Sequence, residues 1–249
     1  MAAQRVQDTT VIRPLPRPAA TRSFVCLGFC GGGTGAYRPW ASLLDERTEL
    51  TLICYPGREG RFAENFARSW EELAEDATAA VLSAVDRPYV LFGHSMGGWM
   101  AFDVATRIER RGGPVPESLV VSSCNAPNRG LTERDRFPSL DDTDEALLRW
   151  MRTIGLLPDY VRSDPDLMDM AFDLMRADIR VRDSYRSPGA ETRIPVQVLY
   201  GRDDEVIEPG VAEQWSQVCR GPCRVDPLPG GHFYTPDVWG ALPAHIDAL

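Results

Sequence analysis

The chain has 249 residues, of which 43% are hydrophobic and 25% are charged, and its formal net charge is −9. This length and composition are typical of one globular domain that buries its core without disulfides or metals. The acidic balance argues against a nucleic-acid-binding protein, which needs a basic face, and no apolar run approaches the roughly 20 residues that span a bilayer.

The N-terminal segment contains Pro, Arg and Thr but no apolar stretch typical of a secretory signal. We therefore expect a mobile tail over residues 1–20, a single domain over residues 21–249 and a cytoplasmic location. Of the six cysteines, Cys219 and Cys223 lie four residues apart without a second pair or a nearby group of histidines. That spacing disfavours a zinc or disulfide site, so no metal is expected.

Short apolar runs alternate with helical patterns along most of the chain, which is typical of a parallel sheet with crossover helices. Several runs are continuously apolar, as expected for strands that are buried on both faces. Between them, the periodicity predicts helices over Ser69–Val85 and from about Met96 to Arg111. The predicted strands are Ser23–Phe29, Leu50–Tyr55, Tyr89–Phe92, Leu119–Ser123, Val196–Tyr200 and Cys223–Leu228.

One segment, from about residue 128 to residue 193, carries no strand signal and is too long for a plain connection. Its pattern predicts two helices, one over Asp144–Ile154 and one that starts at Asp164–Pro165 and continues to about Ile179. A helical insertion here is most simply a lid over the carboxyl ends of the strands, where open α/β sheets bind their ligands.

The pentapeptide Gly93-His94-Ser95-Met96-Gly97 follows a predicted strand and precedes a predicted helix. This is the setting of a nucleophile elbow, a sharp turn that projects a serine hydroxyl at the N-terminus of a helix. The turn strains the serine backbone, and Gly93 and Gly97 supply the space that it needs. The pattern predicts Ser95 as a nucleophile in an α/β-hydrolase fold, with a mostly parallel central sheet flanked by helices.

A serine hydroxyl needs a base within hydrogen-bond reach, and the chain has only three histidines. His94 adjoins the serine and is expected to point away from it, while His245 falls in a surface helix near the end of the chain. His232 lies in a glycine-rich loop after the last predicted strand, where the hydrolase fold presents its base. We therefore predict His232 as the base.

The base requires a carboxylate that follows the serine and precedes the histidine in the chain. The loop Gly201–Val206, at the end of a predicted strand, offers both Asp203 and Asp204. Either carboxylate suits the chemistry.

Two backbone amides are expected to stabilise the oxyanion of the reaction. One belongs to Met96, and the other to the loop Phe29–Gly35, with Cys30 as the predicted donor. A phosphate-binding loop is excluded because the motifs that define one are absent. Cys30 is an alternative nucleophile, but no basic residue near it in the sequence would lower its pKa.

Seven sequence blocks carry a family resemblance, among which YPGREGRF and RPYVLFGHSMGG are the most specific. The blocks are Gly31–Trp40, Tyr55–Phe62, Arg87–Gly98, Ala126–Arg129, Arg176–Tyr185, Gly201–Val206 and Pro229–Phe233. They resemble the type II thioesterases, the free-standing editing enzymes of polyketide and nonribosomal peptide synthesis. In such hydrolases the acid lies three residues after the strand-end glycine, which selects Asp204. Cys30 and Gly98 depart from the family, which commonly has alanine at both positions.

The resemblance implies a serine thioesterase that acts in trans and removes stalled or wrongly loaded acyl groups. Its partner would be an acyl or peptidyl carrier protein that bears the acyl group on phosphopantetheine, with no cofactor, nucleic acid or membrane. Arg58 and Arg61 are candidates for docking an acidic carrier protein, and a surface turn is the alternative. A general carboxylesterase or acyltransferase and a non-catalytic ligand receptor are the rival hypotheses.

The second predicted helix of the insertion has a methionine-rich face formed by Met168, Met170 and Met175. Thioether side chains adapt their shape, so this face is a candidate wall for a variable acyl chain. Ordinary packing of the insertion against the core is the alternative. The candidate substrate-binding residues are Phe29, Met168, Phe172, Met175 and Phe233.

Overall fold

A single seven-stranded sheet forms the centre of the computed structural model, which describes residues 9–135, 141–153, 157 and 159–249. The strand order is β1-β3-β2-β4-β5-β6-β7; β1 is antiparallel to β3, and every other neighbouring pair is parallel. The strands are β1 (Val11–Ile12), β2 (Arg22–Leu27), β3 (Thr48–Ile53), β4 (Tyr89–His94), β5 (Ser118–Ser122), β6 (Val196–Gly201) and β7 (Cys223–Leu228).

The six predicted strands are confirmed, with ends within two residues of the predicted ones. Their apolar runs are explained by two hydrophobic cores on opposite faces of the sheet. Along β4, Leu91 packs into one core, while Val90 and Phe92 pack into the other, because successive side chains of a strand point to opposite faces. The predicted α/β fold with a mostly parallel sheet is therefore confirmed.

The described part of the chain forms seven α-helices. Both predicted helices between the strands are confirmed, and Ser69 caps the first of them by accepting a hydrogen bond from the Glu72 amide at 3.2 Å. The helices are α1 (Trp70–Ala84), α2 (Met96–Arg110), α3 (Asp144–Thr153), α4 (Asp159–Arg162), α5 (Pro165–Asp183), α6 (Val211–Ser216) and α7 (Pro236–Gly240). No helix of the described residues is long and apolar enough to cross a membrane.

The N-terminal segment differs from the mobile tail predicted over residues 1–20. Residues 1–8 lie outside the described residues, but Val11 and Ile12 pair with β3. Arg13 forms an ion pair with Glu49 at 3.1 Å, and the Arg17 amide donates to the same carboxylate at 2.6 Å. The prediction of a tail is therefore wrong for residues 9–20, because an ion pair, hydrogen bonds and a two-residue strand hold this segment without an apolar run.

The segment between β5 and β6 contains helices α3, α4 and α5, and we refer to residues 128–193 as the helical insertion. The predicted helix Asp144–Ile154 is observed as Asp144–Thr153, and Ile154 lies outside the described residues. The second predicted helix is confirmed as α5, which is capped by the Asp164 carboxylate and extends to Asp183. The short helix α4 was not predicted.

The topology places two loops side by side at the carboxyl edge of the sheet. Strand β2 lies between β3 and β4, so the order of the strands reverses there. The loop after β2 and the loop after β4 therefore leave neighbouring strands at a topological switch point, where open α/β sheets bind their ligands. The first loop begins at Gly28 and the second contains Ser95.

Candidate active site

The turn after β4 has the geometry of a nucleophile elbow. Ser95 adopts φ 55° and ψ −124° as the N-cap of α2, a left-handed conformation that costs a non-glycine residue energy. A Cβ atom on Gly93 would lie 1.8 Å from the Gly97 carbonyl oxygen, and one on Gly97 would lie 2.5 Å from the Gly28 carbonyl oxygen. The predicted need for glycine at both positions is confirmed.

Ser95, His232 and Asp204 come together although they are far apart in the chain. His232 Nε2 lies 2.9 Å from Ser95 Oγ, and His232 Nδ1 lies 2.9 Å from Asp204 Oδ2. An imidazole held in this way can accept the serine proton at Nε2 while its Nδ1–H donates to the carboxylate. His245 is exposed at the end of a short 3-10 helix over Leu242–His245, in agreement with its predicted place in a surface helix.

The carboxylate that reaches the imidazole belongs to Asp204, and the Asp203 side chain is exposed. Asp204 is buried, and its second oxygen, Oδ1, accepts a hydrogen bond from the Val206 amide at 3.0 Å. Both oxygens therefore have a donor, which fixes the orientation of the carboxylate.

Asn125 supports this loop, a role that sequence reasoning missed. Its buried side chain donates to the Val206 carbonyl at 2.9 Å and accepts from the Glu208 amide at 2.9 Å. The amide thus binds two backbone groups of the segment that follows Asp204. Its position just before the Ala126–Arg129 block was the available signal.

The two predicted oxyanion donors flank the serine. Met96 is the first residue of α2, and Cys30 lies in the loop after β2. Neither amide donates to a protein acceptor in the described part of the chain. Both residues line the same small cavity as Ser95, so their N–H groups are available to a bound substrate.

The Cys30 thiol is a poor alternative nucleophile in this setting. Burial, with a contribution from the Asp178 carboxylate, raises its pKa to about 12, although Arg58 and Arg182 act in the opposite direction. The thiol is therefore protonated at neutral pH, whereas a nucleophilic cysteine requires a thiolate. The thiol donates a weak hydrogen bond to Met175 Sδ at 3.6 Å.

Two cavities reach His232, and the smaller one also reaches Ser95. A small cavity of about 40 Å³ is lined by Ser95 and His232, together with Trp150 from the helical insertion. A larger cavity of about 1410 Å³ lies between the insertion and the carboxyl ends of the strands, and His232 and Trp150 line it as well. Phe29 and Phe233, two of the candidate substrate-binding residues, also line the larger cavity.

Comparison with known proteins identifies the family. The Thioesterase domain family model matches residues 22–248. The chain belongs to the thioesterase family. It is 33% identical to the type II thioesterase BorB from the borrelidin biosynthetic cluster, with a TM-score of 0.79 over 96% of this chain and 98% of that one.

Two curated relatives have similar identities. The AMB antimetabolite synthetase AmbE of Pseudomonas aeruginosa is 31% identical over 89% of this chain. The protein named "Probable cadicidin biosynthesis thioesterase" of Streptomyces griseus is 30% identical over 94% of this chain. The thioesterase spans 11% of the length of AmbE and 62% of the length of the cadicidin protein.

The methionine-rich face of α5 in the thioesterase packs against the protein itself. Phe172 and Met175 are buried in the hydrophobic core, and Met168 packs against it, whereas Met170 is 46% exposed. Met168, Phe172 and Met175 line neither of the two cavities. The alternative of ordinary packing is therefore favoured for these residues.

Arg58 and Arg61 do not form an exposed docking surface. Both side chains are buried, at 6% and 7% exposure, and each forms a two-pronged ion pair. Arg58 pairs with Asp178, and Arg61 pairs with Asp76. The hypothesis that these arginines dock a carrier protein is therefore contradicted, and so is the alternative of an exposed surface turn, because both guanidinium groups are buried and paired.

His94 lies beside His232, with a distance of 5.2 Å between the two ring centroids. It is fully buried, and its Nδ1 lies 2.9 Å from Ser122 Oγ, which is 2.6 Å from the Tyr234 hydroxyl oxygen. Burial, and secondarily the nearby His232, holds the pKa of His94 well below its ordinary value. The imidazole is therefore neutral in the folded protein.

The depressed pKa of His94 makes folding pH-dependent below pH about 6.5. In that range the unfolded chain binds a proton at His94 and the folded protein does not, so the free energy of unfolding falls as the pH falls. We expect His94→Gln to reduce this loss by about 1 kcal/mol between pH 6.5 and pH 5.5. Urea denaturation of the wild type and the variant at several pH values measures the free energy of unfolding. An equal dependence on pH in the two proteins would contradict a neutral, buried His94.

Gly98, which stands where the family commonly has alanine, faces Cys124. A Cβ atom there would lie 2.5 Å from Cys124 Sγ. The glycine therefore leaves the space that the Cys124 thiol occupies beside α2.

We expect Gly98→Ala to destabilise the thioesterase by about 1–3 kcal/mol, because overpacking forces neighbouring groups to move. In a Cys124→Ala background the same change is expected to be near neutral, since the thiol is gone and alanine favours a helix. Denaturant unfolding of the four proteins gives the coupling energy. Equal effects in both backgrounds would show that Cys124 is not the obstacle.

Proposed function

We propose that this thioesterase hydrolyses acyl groups from the phosphopantetheine arm of acyl or peptidyl carrier proteins. It would remove stalled or wrongly primed units in the cytoplasm during polyketide or nonribosomal peptide biosynthesis. The observation that carries the proposal is the line of two 2.9 Å contacts from Asp204 through His232 to Ser95 beside a large cavity. The names of AmbE, BorB and the cadicidin protein support the biosynthetic context.

In the first half-reaction, Ser95 Oγ attacks the thioester carbonyl while its proton passes to His232 Nε2. The tetrahedral intermediate collapses, the carbon–sulfur bond breaks, and the imidazolium returns its proton to the departing pantetheine thiolate. The Asp204 carboxylate keeps the Nδ1–H tautomer in place and stabilises the positive charge that forms on the ring. The products are free carrier protein and an acyl ester on Ser95.

In the second half-reaction, a water molecule takes the place of the thiol. His232 Nε2 accepts a proton from this water as its oxygen attacks the ester carbonyl. The bond to Ser95 Oγ then breaks, the serine recovers its proton from the imidazolium, and the carboxylic acid leaves. The hydrolysis requires no further co-reactant.

Each tetrahedral intermediate carries a negative charge on the former carbonyl oxygen. We assign the backbone N–H groups of Met96 and Cys30 as its donors, because they flank Ser95 and have no protein acceptor in the described residues. Amides held in this way stabilise charge only as it develops, which accelerates the chemical step. Because the amide of residue 30 is a backbone group, cysteine can serve there as well as alanine.

The large cavity supports an extended acyl-pantetheine substrate. It reaches from His232 to Tyr160 of the helical insertion and has aromatic walls that include Phe29 and Trp239. Its lining also carries charged side chains, among them Arg149, Arg152 and Glu205, and a site that combines apolar and polar groups suits a substrate with both kinds of surface. We propose that the insertion acts as a lid over this cavity.

A panel of carrier proteins loaded with different acyl groups tests the proposal. Mass spectrometry would follow conversion of each acyl-carrier protein to the free thiol form, with Ser95→Ala as the inactive control. The same acyl groups as simple oxygen esters provide the comparison. Faster turnover of the oxygen esters would favour a general carboxylesterase, and acyl transfer to an added acceptor instead of water would favour an acyltransferase.

A further inference from the structure

The loop that carries Cys30 is held by a buried ion pair whose two members come from other parts of the chain. Arg58 follows β3, and Asp178 lies on α5 of the helical insertion, 120 residues further on. Arg58 Nη2 donates to Asp178 Oδ1 at 2.6 Å, and Arg58 Nη1 donates to Asp178 Oδ2 at 2.9 Å. Both side chains are at least nine-tenths buried.

Each member of this pair also binds the backbone immediately after Cys30. The Gly31 amide donates to Asp178 Oδ2 at 2.8 Å, and Arg58 Nη1 donates to the Gly32 carbonyl oxygen at 2.8 Å. The Gly31 N–H belongs to the peptide unit that follows the Cys30 α-carbon. Fixing that peptide restricts the rotation of the neighbouring one, which carries the Cys30 N–H.

A second contact from α5 reaches Cys30 itself, because Met175 Sδ lies 3.6 Å from Cys30 Sγ. Helix α5 therefore contacts two consecutive residues of this loop, one through Met175 and one through Asp178. Shape alone does not require an ion pair here, since apolar side chains of similar volume often stabilise a buried site equally well. What charged groups add is directional hydrogen bonding to the loop backbone.

We infer that Arg58 and Asp178 are positioning residues that aim the Cys30 amide at the oxyanion and couple its orientation to α5. This inference rests on the proposed function of Ser95. The pair acts through the backbone of the loop and touches neither the serine nor its base. Its loss should therefore lower kcat, because oxyanion donors act mainly in the transition state, and leave KM nearly unchanged.

The test is the double variant Arg58→Met with Asp178→Leu, which avoids an unpaired buried charge. The matched control is Arg61→Met with Asp76→Asn. It removes a two-pronged ion pair between the segment after β3, which also contains Arg58, and helix α1. Hydrolysis of an acyl-carrier protein gives kcat and KM for each. A trifluoromethyl ketone thioether, which forms an oxyanion adduct on Ser95, reports on the oxyanion site.

For the Arg58/Asp178 variant we expect kcat to fall about 30-fold, less than the roughly 10²–10³-fold that follows removal of a whole donor. The inhibition constant of the ketone should rise by a similar factor, while KM stays within about threefold. The control should keep kcat and the inhibition constant within about threefold of wild type. Equal losses in both double variants, or a change in KM alone, would overturn the inference.

Should the Arg58/Asp178 variant fail to fold, Arg58→Lys keeps the charge but loses the two-pronged geometry. It is expected to lower kcat about fivefold or more and to raise the inhibition constant of the ketone by a similar factor. Wild-type values of both would overturn the inference. Full activity of Ser95→Ala would instead disprove the proposed function, whatever the ion-pair variants do.

Discussion

Replacing Ser95 with alanine is expected to lower kcat for acyl-carrier hydrolysis by about 10⁶-fold, the scale seen when the serine of a triad is removed. Without the hydroxyl no acyl-enzyme forms, and water must attack the thioester directly. The folded structure should persist, because the Ser95 side chain forms no cap hydrogen bond to α2 that alanine would lose, and serine and alanine pay a similar cost for this backbone conformation. Steady-state kinetics with a discontinuous thiol assay measures the loss.

Ser123→Ala is the matched serine control, because Ser123 is buried and lines the same small cavity as Ser95. It is expected to retain kcat within about tenfold, as it takes no part in the proposed chemistry. Equal losses in the two variants would indicate that the cavity, and not the hydroxyl of Ser95, limits the reaction.

Asp204→Asn is expected to lower kcat by about 10⁴-fold while the fold stays intact. An amide that donates to Nδ1 would favour the wrong tautomer of His232, whose Nε2 could then no longer accept the serine proton. The charge that stabilises the imidazolium would also be lost. Kinetics of the variant, with circular dichroism as a check of folding, gives the effect.

The neighbouring carboxylate provides the control for this variant. Asp203→Asn changes the same charge one residue away on an exposed side chain that does not contact His232. Its kcat should stay within about twofold of wild type, because surface substitutions have small effects. A large loss in Asp203→Asn with little loss in Asp204→Asn would reverse the assignment of the acid.

The central strands could be predicted from the sequence because burial on both faces makes them continuously apolar. Strand β1 could not, since two residues give no periodicity. It is held by β3 together with the ion pair between Arg13 and Glu49. Contacts between polar groups far apart in the chain leave no local pattern, so a charged and proline-containing segment resembled a tail.

The candidate site likewise combines local features, which the sequence shows, with contacts between distant residues, which it does not show. The turn around Ser95 is a local structure with strict spatial requirements, so its glycines were visible in the sequence. The choice between Asp203 and Asp204 depended on a family resemblance, because chemistry alone allowed both. The pairing of Arg58 with Asp178 joins residues 120 positions apart, and an arginine in a turn gives no sign that it is buried.

The most direct test of the central claim is to trap the covalent intermediate. The thioesterase would be mixed with an acyl-carrier protein, quenched in acid within milliseconds, digested and analysed by tandem mass spectrometry. We predict an acyl ester on Ser95 that is absent from Ser95→Ala and accumulates during the first turnover. Acyl groups found on Cys30 or another residue, with Ser95 unmodified during turnover, would contradict it.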